Sequence, residues 1–495
     1  MYKRILDANE NKIIFIFNRY FYKLFNKNFT YLLIIILFSF TPSINAKELI
    51  QTTYVFPSNG IINYPVQVYV NFNNITLENT LLIGAHDGRP YWTPTQQLLM
   101  DLAKDANLRM LRLLVGRWHI FSLEPCSYWN ETTRTGTYNW SEIDKWIEAI
   151  KGIGMEPLLC IGGQGALPIG MSEKGEHGFP LYVDDFAKHC SNIVYHLNIE
   201  KGYNVKYWEI WNEATCNDEA SVAQFTEIYN IVQLKMHSED PSILCGNDRC
   251  LIPRFVDYYV DHIHGLNFAS FHKYDTGDPN ESKSELIKRA SDLINTWREP
   301  QSWYRHYSPR EAKDILGVQF IICSETNIDW DAPDLKHNTM FQEVWYAEEL
   351  RAFILDGTIS YSLFFCYAGA LNSYSMVNCD PPFTVWHPYY VNYLIGNNLN
   401  RGDNICESFS DNQTKVTTLA WKSETQKYLL LIGKTPKVLN VNIKLIENVS
   451  ETIILKKITN ISEFEGKIEM EKILYMSPLI ITLDGYTVVL LIFDY

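Results

Sequence analysis

Positive charge is scarce in this sequence, and the spacings that build metal or redox sites are missing. Lys and Arg total 43 against 57 Asp and Glu, a formal net charge of −14 over 495 residues. A body this acidic argues against nucleic acid or an anionic membrane surface as partner, because both ask for a basic face. It is compatible with a neutral polysaccharide. No CxxC pair or Cys/His spacing suggests a metal, and neither metal nor cofactor is expected. Internal repeats and low-complexity linkers are absent, and beyond residue 46 no stretch reads as a membrane span.

What remains is ordinary globular composition, 46% hydrophobic and 20% charged, with a high aromatic share of 14% that includes 13 Trp and 31 Tyr. Those rings serve either a large core or a carbohydrate site, where indole and phenol faces stack on sugar C–H faces. Segment 1–46 reads as a signal peptide. Lys3, Arg4, Lys12, Arg19, Lys23 and Lys27 flank the apolar run Tyr31–Phe40, and the small residue Ala46 suits cleavage. The long basic flank leaves an uncleaved anchor as the alternative. A secreted glycoprotein fits the Asn-X-Ser/Thr triplets at Asn74, Asn130, Asn139, Asn280, Asn412, Asn448 and Asn460. Of the ten cysteines, Cys160, Cys245, Cys323 and Cys366 sit in apolar runs and read as buried thiols, whereas Cys216, Cys250, Cys379 and Cys406 lie in loop-like sequence and are the disulfide candidates.

From residue 78 to 394 short apolar strands alternate with amphipathic helical stretches, the pattern of a parallel α/β architecture. The strands are expected at Leu81–Ala85, Arg109–Val115, Glu156–Ile161, Lys206–Trp211, Ile243–Gly246, Asn267–His272, Val318–Cys323 and Ile359–Tyr367, matching a (β/α)8 TIM barrel in number and length. Ser141-Glu142-Ile143-Asp144 reads as a capping box opening a helix, and 338–355 as a second long helix. Segment 395–495 has β-rich runs and no helix pattern, which predicts an antiparallel β-sandwich domain. Segment 47–77 carries β-like runs and is expected to join that sandwich.

Reacting groups in such barrels stand at the C-terminal ends of the strands. Two glutamates meet that condition: Glu213, after the fourth strand, and Glu325, after the seventh. Paired carboxylates flanking a scissile bond are the minimal equipment of a glycosidase, one protonated and the other ionised. A separation of ~5–5.5 Å implies retention and ~6.5–9.5 Å inversion.

Trp211-Asn212-Glu213 after an apolar strand resembles the acid/base motif of glycoside hydrolase clan A, and Ser324-Glu325-Thr326 stands where that clan has its nucleophile. Arg112 on the second strand and His272-Lys273-Tyr274 on the sixth are further matches. The stretch from Tyr138-Asn139-Trp140 to Gly154-Met155-Glu156-Pro157 resembles family 39, which includes β-xylosidases and α-L-iduronidases. The resemblance runs from Ile83 to the C-terminus, but only the barrel motifs are specific. It implies Glu213 as acid/base, Glu325 as nucleophile, Asn212 on a sugar hydroxyl, Arg112 as the cation beside Glu325, and His272 and Tyr274 as hydrogen-bonding groups. Glu209, on the strand of Glu213, is a carboxylate that could tune it, and Asp329 is the rival nucleophile.

His86 and Asp87 are expected to contact sugar, with Trp118, Trp330 and Trp386 as candidate platforms. Two departures stand out. The eighth strand ends in Phe364-Phe365-Cys366-Tyr367 where the clan often has Trp, so Tyr367 or a loop residue is expected as the platform, and Ala214 replaces a frequent Pro. The expected activity is a retaining hydrolase that cleaves β-linked glycosidic bonds of an oligo- or polysaccharide by a two-glutamate double displacement. A transglycosylase with the same residues and a non-catalytic carbohydrate-binding barrel are the alternatives.

Overall fold

Strands β2 (Leu82–Asp87), β3 (Met110–Val115), β4 (Glu156–Gly163), β5 (Tyr207–Asn212), β6 (Leu244–Asn247), β7 (Phe268–Thr276), β8 (Phe320–Asp329) and β9 (Ile359–Phe365) pair in parallel, β9 closing on β2, to form a barrel. All eight lie where the hydrophobic runs predicted them. The computed structural model describes residues 65–87, 96–117, 123–175, 177–293, 307–330, 334–371, 373–447, 449 and 452–494. The signal-peptide reading of segment 1–46, Trp118 and Asn448 fall outside the described residues.

The barrel interior changes character along its axis because side chains on a strand alternate with period two. Met110, Leu158, Phe268, Ile322, Tyr361 and Leu363 fill a lower apolar layer. Two residues on, the layer above receives Arg112 from β3, Glu209 from β5 and Ser270 from β7, all fully buried. One strand breaks the rhythm. Phe271 pairs with Cys323 but His272 pairs with Glu325, so Ser324 is an extra residue in β8. Such an insertion re-aims the side chains that follow it, and here it sets Glu325 opposite His272.

Residues of the helical layer include α1 (Gln97–Asp105), α2 (Ser141–Gly152), α3 (Val183–Val194), α4 (Glu219–Glu239), α5 (Pro253–His262), α6 (Lys283–Ala290), α7 (Pro309–Leu316), α8 (Met340–Asp356) and α9 (His387–Gly396). Helix α2 buries Ile143, Trp146, Ile147 and Ile150 as its period implied, but its start differs from the capping-box reading. Trp140 is the N-cap residue and Ser141 is already helical. The Oδ1 of Asn139 takes the Ser141 N–H at 3.1 Å instead.

The second sheet has nine strands in the order β15 (Gly466–Leu474), β14 (Thr452–Asn460), β17 (Thr487–Asp494), β12 (Gln426–Gly433), β11 (Val416–Lys422), β10 (Asn404–Ser410), β1 (Val66–Glu78), β13 (Val438–Leu445) and β16 (Leu479–Asp484). Only β1 and β13 run parallel. The sheet has two buried faces. Val488, Leu490 and Ile492 of β17 join the core around the barrel, while Val489, Leu491 and Phe493 fill a separate core within the sheet. That is why β17 reads as an unbroken apolar run.

Helix α8 lies between the two bodies and is buried from Phe341 through Leu350. Its carboxylates are therefore used on both sides. Glu343 accepts the Val488 N–H at 3.1 Å and meets His387 Nδ1 at 2.7 Å. Glu348 accepts from Thr417 and from Ser291.

All ten cysteines are free and buried. This corrects the disulfide expectation for Cys216, Cys250, Cys379 and Cys406. The loop-like sequence around Cys216 and Cys250 is packed under the barrel rim, where their thiols approach the carbonyls of Ser221 and Asn247 at 3.3 Å. Cys406 belongs to β10 and approaches the Phe72 carbonyl at 3.5 Å.

Candidate active site

Arg112 organises the upper end of the barrel. Its guanidinium donates from Nε to Glu209 Oε2 at 2.5 Å, from Nη1 to Glu325 Oε1 at 2.7 Å and from Nη2 to Asn212 Oδ1 at 2.9 Å. A guanidinium buried this deeply requires carboxylate partners, and it has two. Nη1 also lies 2.8 Å from His86 Nε2. Because an arginine N–H only donates, that ring nitrogen accepts and His86 is the neutral Nδ1–H tautomer. Burial, with Arg112 and His272 nearby, holds the His86 pKa well below its usual value.

Glu209 is paired to Arg112 rather than to Glu213. It sits one layer lower, taking a hydrogen bond from Ser270 Oγ at 2.6 Å as well as the Arg112 contact. Burial opposes its charge, but Arg112 and Ser270 outweigh burial and leave its pKa below the ordinary carboxylate value.

Glu325 is gripped from both sides. Its second oxygen, Oε2, accepts from the Tyr274 hydroxyl at 2.5 Å and lies 3.5 Å from His272 Nδ1. Glu213 lies across the opening, its Oε1 2.9 Å from the same His272 Nδ1. Trp211 and Glu213 have φ of 72° and 50°, a left-handed conformation that disfavours L side chains by about 1–2 kcal/mol per residue. These turns end the strand's alternation and swing Glu213 over the barrel mouth. The Glu213 N–H donates to Asp248 Oδ2 at 2.7 Å, which fixes the turn.

Asp248, just beyond the end of β6, was missed by sequence reasoning. It also lies 3.3 Å from His272 Nε2. A carboxylate at a strand's C-terminal end was the available signal. Burial disfavours the imidazolium of His272, but Glu325, Asp248 and Glu213 together raise its pKa above the ordinary value.

Other expectations divide. Tyr367 is not a platform. It is fully buried, and its hydroxyl donates to the Leu99 carbonyl, away from the carboxylate pair. Phe365 takes the position at the end of β9, half-buried and stacked on His86 with centroids 4.8 Å apart and edge-on to Tyr274 at 6.2 Å. Asp87 follows His86 and falls on the opposite side of the strand, where its charge acts on Tyr367. Trp330 is exposed at 39% and available as a surface, whereas Trp386 is buried. Asp329 is buried four residues beyond Glu325, outside the groups that surround Arg112.

Lys273 points outward between strand and helix, paired with Asp275 at 2.6 Å and Glu349 at 3.1 Å. Glu213, His272 and Glu325 each bring one ligand atom to within 4.8 Å of the others, the arrangement of a possible metal cluster. Arg112 already supplies a fixed cation 2.7 Å from Glu325, and its repulsion works against a second one.

The fold, a closed parallel barrel with an attached β-domain, is shared with solved structures. The structure superimposes on an α-L-arabinofuranosidase from Thermotoga maritima with a TM-score of 0.62 at 15% identity, covering 87% of this chain and 100% of that one. A GH39 β-xylosidase from Caulobacter crescentus gives 0.60 at 13% identity, covering 87% and 100%. A glucosidase from Croceicoccus marinus gives 0.61 at 14%, covering 88% and 100%. No family model and no curated protein matches the sequence itself. At these identities the likeness is one of fold, and the fold is the one that the clan A resemblance implied.

Proposed function

We propose that this chain is a retaining glycosidase with Glu325 as nucleophile and Glu213 as acid/base. The observation that carries the reading is the spacing of the two carboxylates. One oxygen of each lies within 4.8 Å of the other, and His272 Nδ1 reaches both carboxylates, at 2.9 and 3.5 Å, a spacing nearer to the ~5–5.5 Å of retaining enzymes than to the ~6.5–9.5 Å of inverting ones.

Glu325, its Oε1 held by Arg112 at 2.7 Å, attacks the anomeric carbon. The bond to the leaving oxygen breaks as Glu213 donates its proton to that oxygen. A glycosyl ester on Glu325 results, and Glu213 is left as a carboxylate. Glu213 then takes a proton from water, whose oxygen attacks the same carbon, and Glu325 departs. Two inversions retain configuration. Asn212, its Oδ1 occupied by Arg112, has amide N–H groups left for a sugar hydroxyl, and Phe365 and Trp330 offer faces for a ring.

The names of the structural neighbours suggest aryl β-xyloside, glucoside and α-L-arabinofuranoside as substrates, and β-galactoside, iduronide and soluble β-glucans complete the panel. Wild type, Glu213→Ala and Glu325→Ala are compared. Turnover by wild type, its loss in Glu325→Ala and recovery with azide support the assignment. Silence of wild type on the whole panel rejects it. We also propose that the chain is exported, on the pattern of segment 1–46, and sequencing the N-terminus of the mature protein tests this.

A further inference from the structure

Beside Glu213 lies a cavity of ≈180 Å³ lined in part by Ala214, Asp248, Arg249, Arg254, Phe255 and His272. One water needs ~10–15 Å³ of such space, so the cavity holds several and admits a polar substituent with part of a ring. The segment that follows Glu213 forms one wall, and Glu325 and Arg112 are not among the described lining residues. The cavity adjoins Glu213 through Ala214, which follows it, and through Asp248 and His272, which touch it.

Its polar groups are incompletely used. Arg249 Nε donates to the Ala214 carbonyl at 3.1 Å and stands 3.8 Å from Asp248 Oδ1. Among the described residues, neither terminal nitrogen of Arg249 has a hydrogen-bond partner. Asp248 is 4% exposed, and while its Oδ2 holds the Glu213 N–H, its Oδ1 is buried with no hydrogen-bond partner. An acceptor and a planar donor fork thus face one small space. In a chain of net charge −14, the described lining of this cavity holds two guanidiniums and one carboxylate, Asp248.

We propose that this cavity is a leaving-group subsite for a uronic acid residue, with the sugar carboxylate on Arg249 and Arg254 and a sugar hydroxyl on Asp248 Oδ1. The proposal rests on the glycosidase reading and gives it a substrate class: an acidic glycan with a uronate on the leaving side of the cleaved bond. A guanidinium suits a planar carboxylate because two parallel N–H donors match its two oxygens. Sulfate would test the charge without the planar group and its sugar.

The test is binding of sodium glucuronate, glucose and sodium sulfate to the full chain, by calorimetry at fixed ionic strength. Wild type, Arg249→Gln and Arg254→Gln are compared, with thermal melts to establish that each variant folds. Glucuronate is expected to bind at least about tenfold tighter than glucose or sulfate, the scale of one charge-assisted hydrogen bond, and each variant is expected to lose that preference. Glucuronate no tighter than glucose, glucuronate no tighter than sulfate, or a preference that survives both substitutions overturns the proposal. If one variant does not fold, the other decides. The aryl glycosides carry no uronate on the leaving side. A chain that hydrolyses them but ignores glucuronate rejects the subsite alone, and one silent on them rejects the reaction.

Discussion

The hydroxyl of Tyr274 lies 2.5 Å from Oε2 of Glu325. This is the length of a hydrogen bond from a neutral donor to a charged oxygen, and it leaves Glu325 with both oxygens engaged, because Oε1 is held by Arg112. The carboxylate is thereby fixed in rotation. Tyr274→Phe removes one restraint without altering shape. Its kcat/KM is expected to fall roughly 10- to 150-fold, the range for a hydrogen bond to a charged group. Steady-state kinetics on the best substrate of the panel checks this, and an unaltered rate would detach Tyr274 from the reaction.

Arg112 is buried between two carboxylates, Glu209 and Glu325. Arg112→Met leaves Glu209 buried with Ser270 as its remaining side-chain partner, so a loss of about 3–5 kcal/mol is expected in denaturant unfolding. Adding Glu209→Gln removes the stranded charge and should restore part of that loss. A double variant no more stable than the single one would contradict the pairing.

Glu349 supplies a pH dependence away from the cleft. Two carboxylates share the Lys273 ammonium, and Asp275 is the nearer. Burial, only partly offset by Lys273, raises the Glu349 pKa from 4.5 to about 7. The folded state thus keeps a proton that the unfolded state releases. The stabilisation is fully present below about pH 4.5 and lost as pH rises through about 7. The stability of wild type relative to Glu349→Gln is expected to decline across that window and level off beyond it. Chemical denaturation at a series of pH values reads the difference directly.

Phe365 and Tyr367 stand two residues apart and should behave oppositely. Phe365→Ala strips the ring that lies against His86 and Tyr274 and is expected to raise KM or lower kcat. Tyr367→Phe breaks the bond to the Leu99 carbonyl, costing about 1 kcal/mol of stability with kinetics unchanged. A kinetic effect confined to Tyr367→Phe would reverse the two assignments.

The thiols offer a direct chemical check. In the native protein all ten cysteines should resist a thiol reagent, and all ten should react after unfolding without any reductant. A smaller number in denaturant would mean that some are paired.

Much of this molecule is written locally. The eight barrel strands are short apolar runs between amphipathic helices, and burial of a parallel sheet on both faces demands such runs wherever they fall. Glu213 and Glu325 were legible for a related reason, as acidic residues at strand ends, where solvent meets an apolar barrel. Asp248 carried the same signal but lacked a neighbouring motif to draw attention to it. In the second sheet, β10 and β15 carry half-exposed residues that dilute the apolar pattern.

What no local pattern contains is decided by packing between distant segments. The extra residue at Ser324 sets Glu325 opposite His272, and that register exists only when β7 and β8 pair. Glu209 answers to Arg112, 97 residues away, because closure of the barrel brings β3 and β5 into one layer. Tyr367 and Phe365 differ in role because the chain turns outward between them, and the loop-like cysteines lie buried because other segments cover them. The sequence by itself determines where each strand and its terminal carboxylate lie. The tertiary structure decides which of those groups meet, since hydrogen bonds of under 3 Å between remote residues depend on register and closure rather than on composition or period.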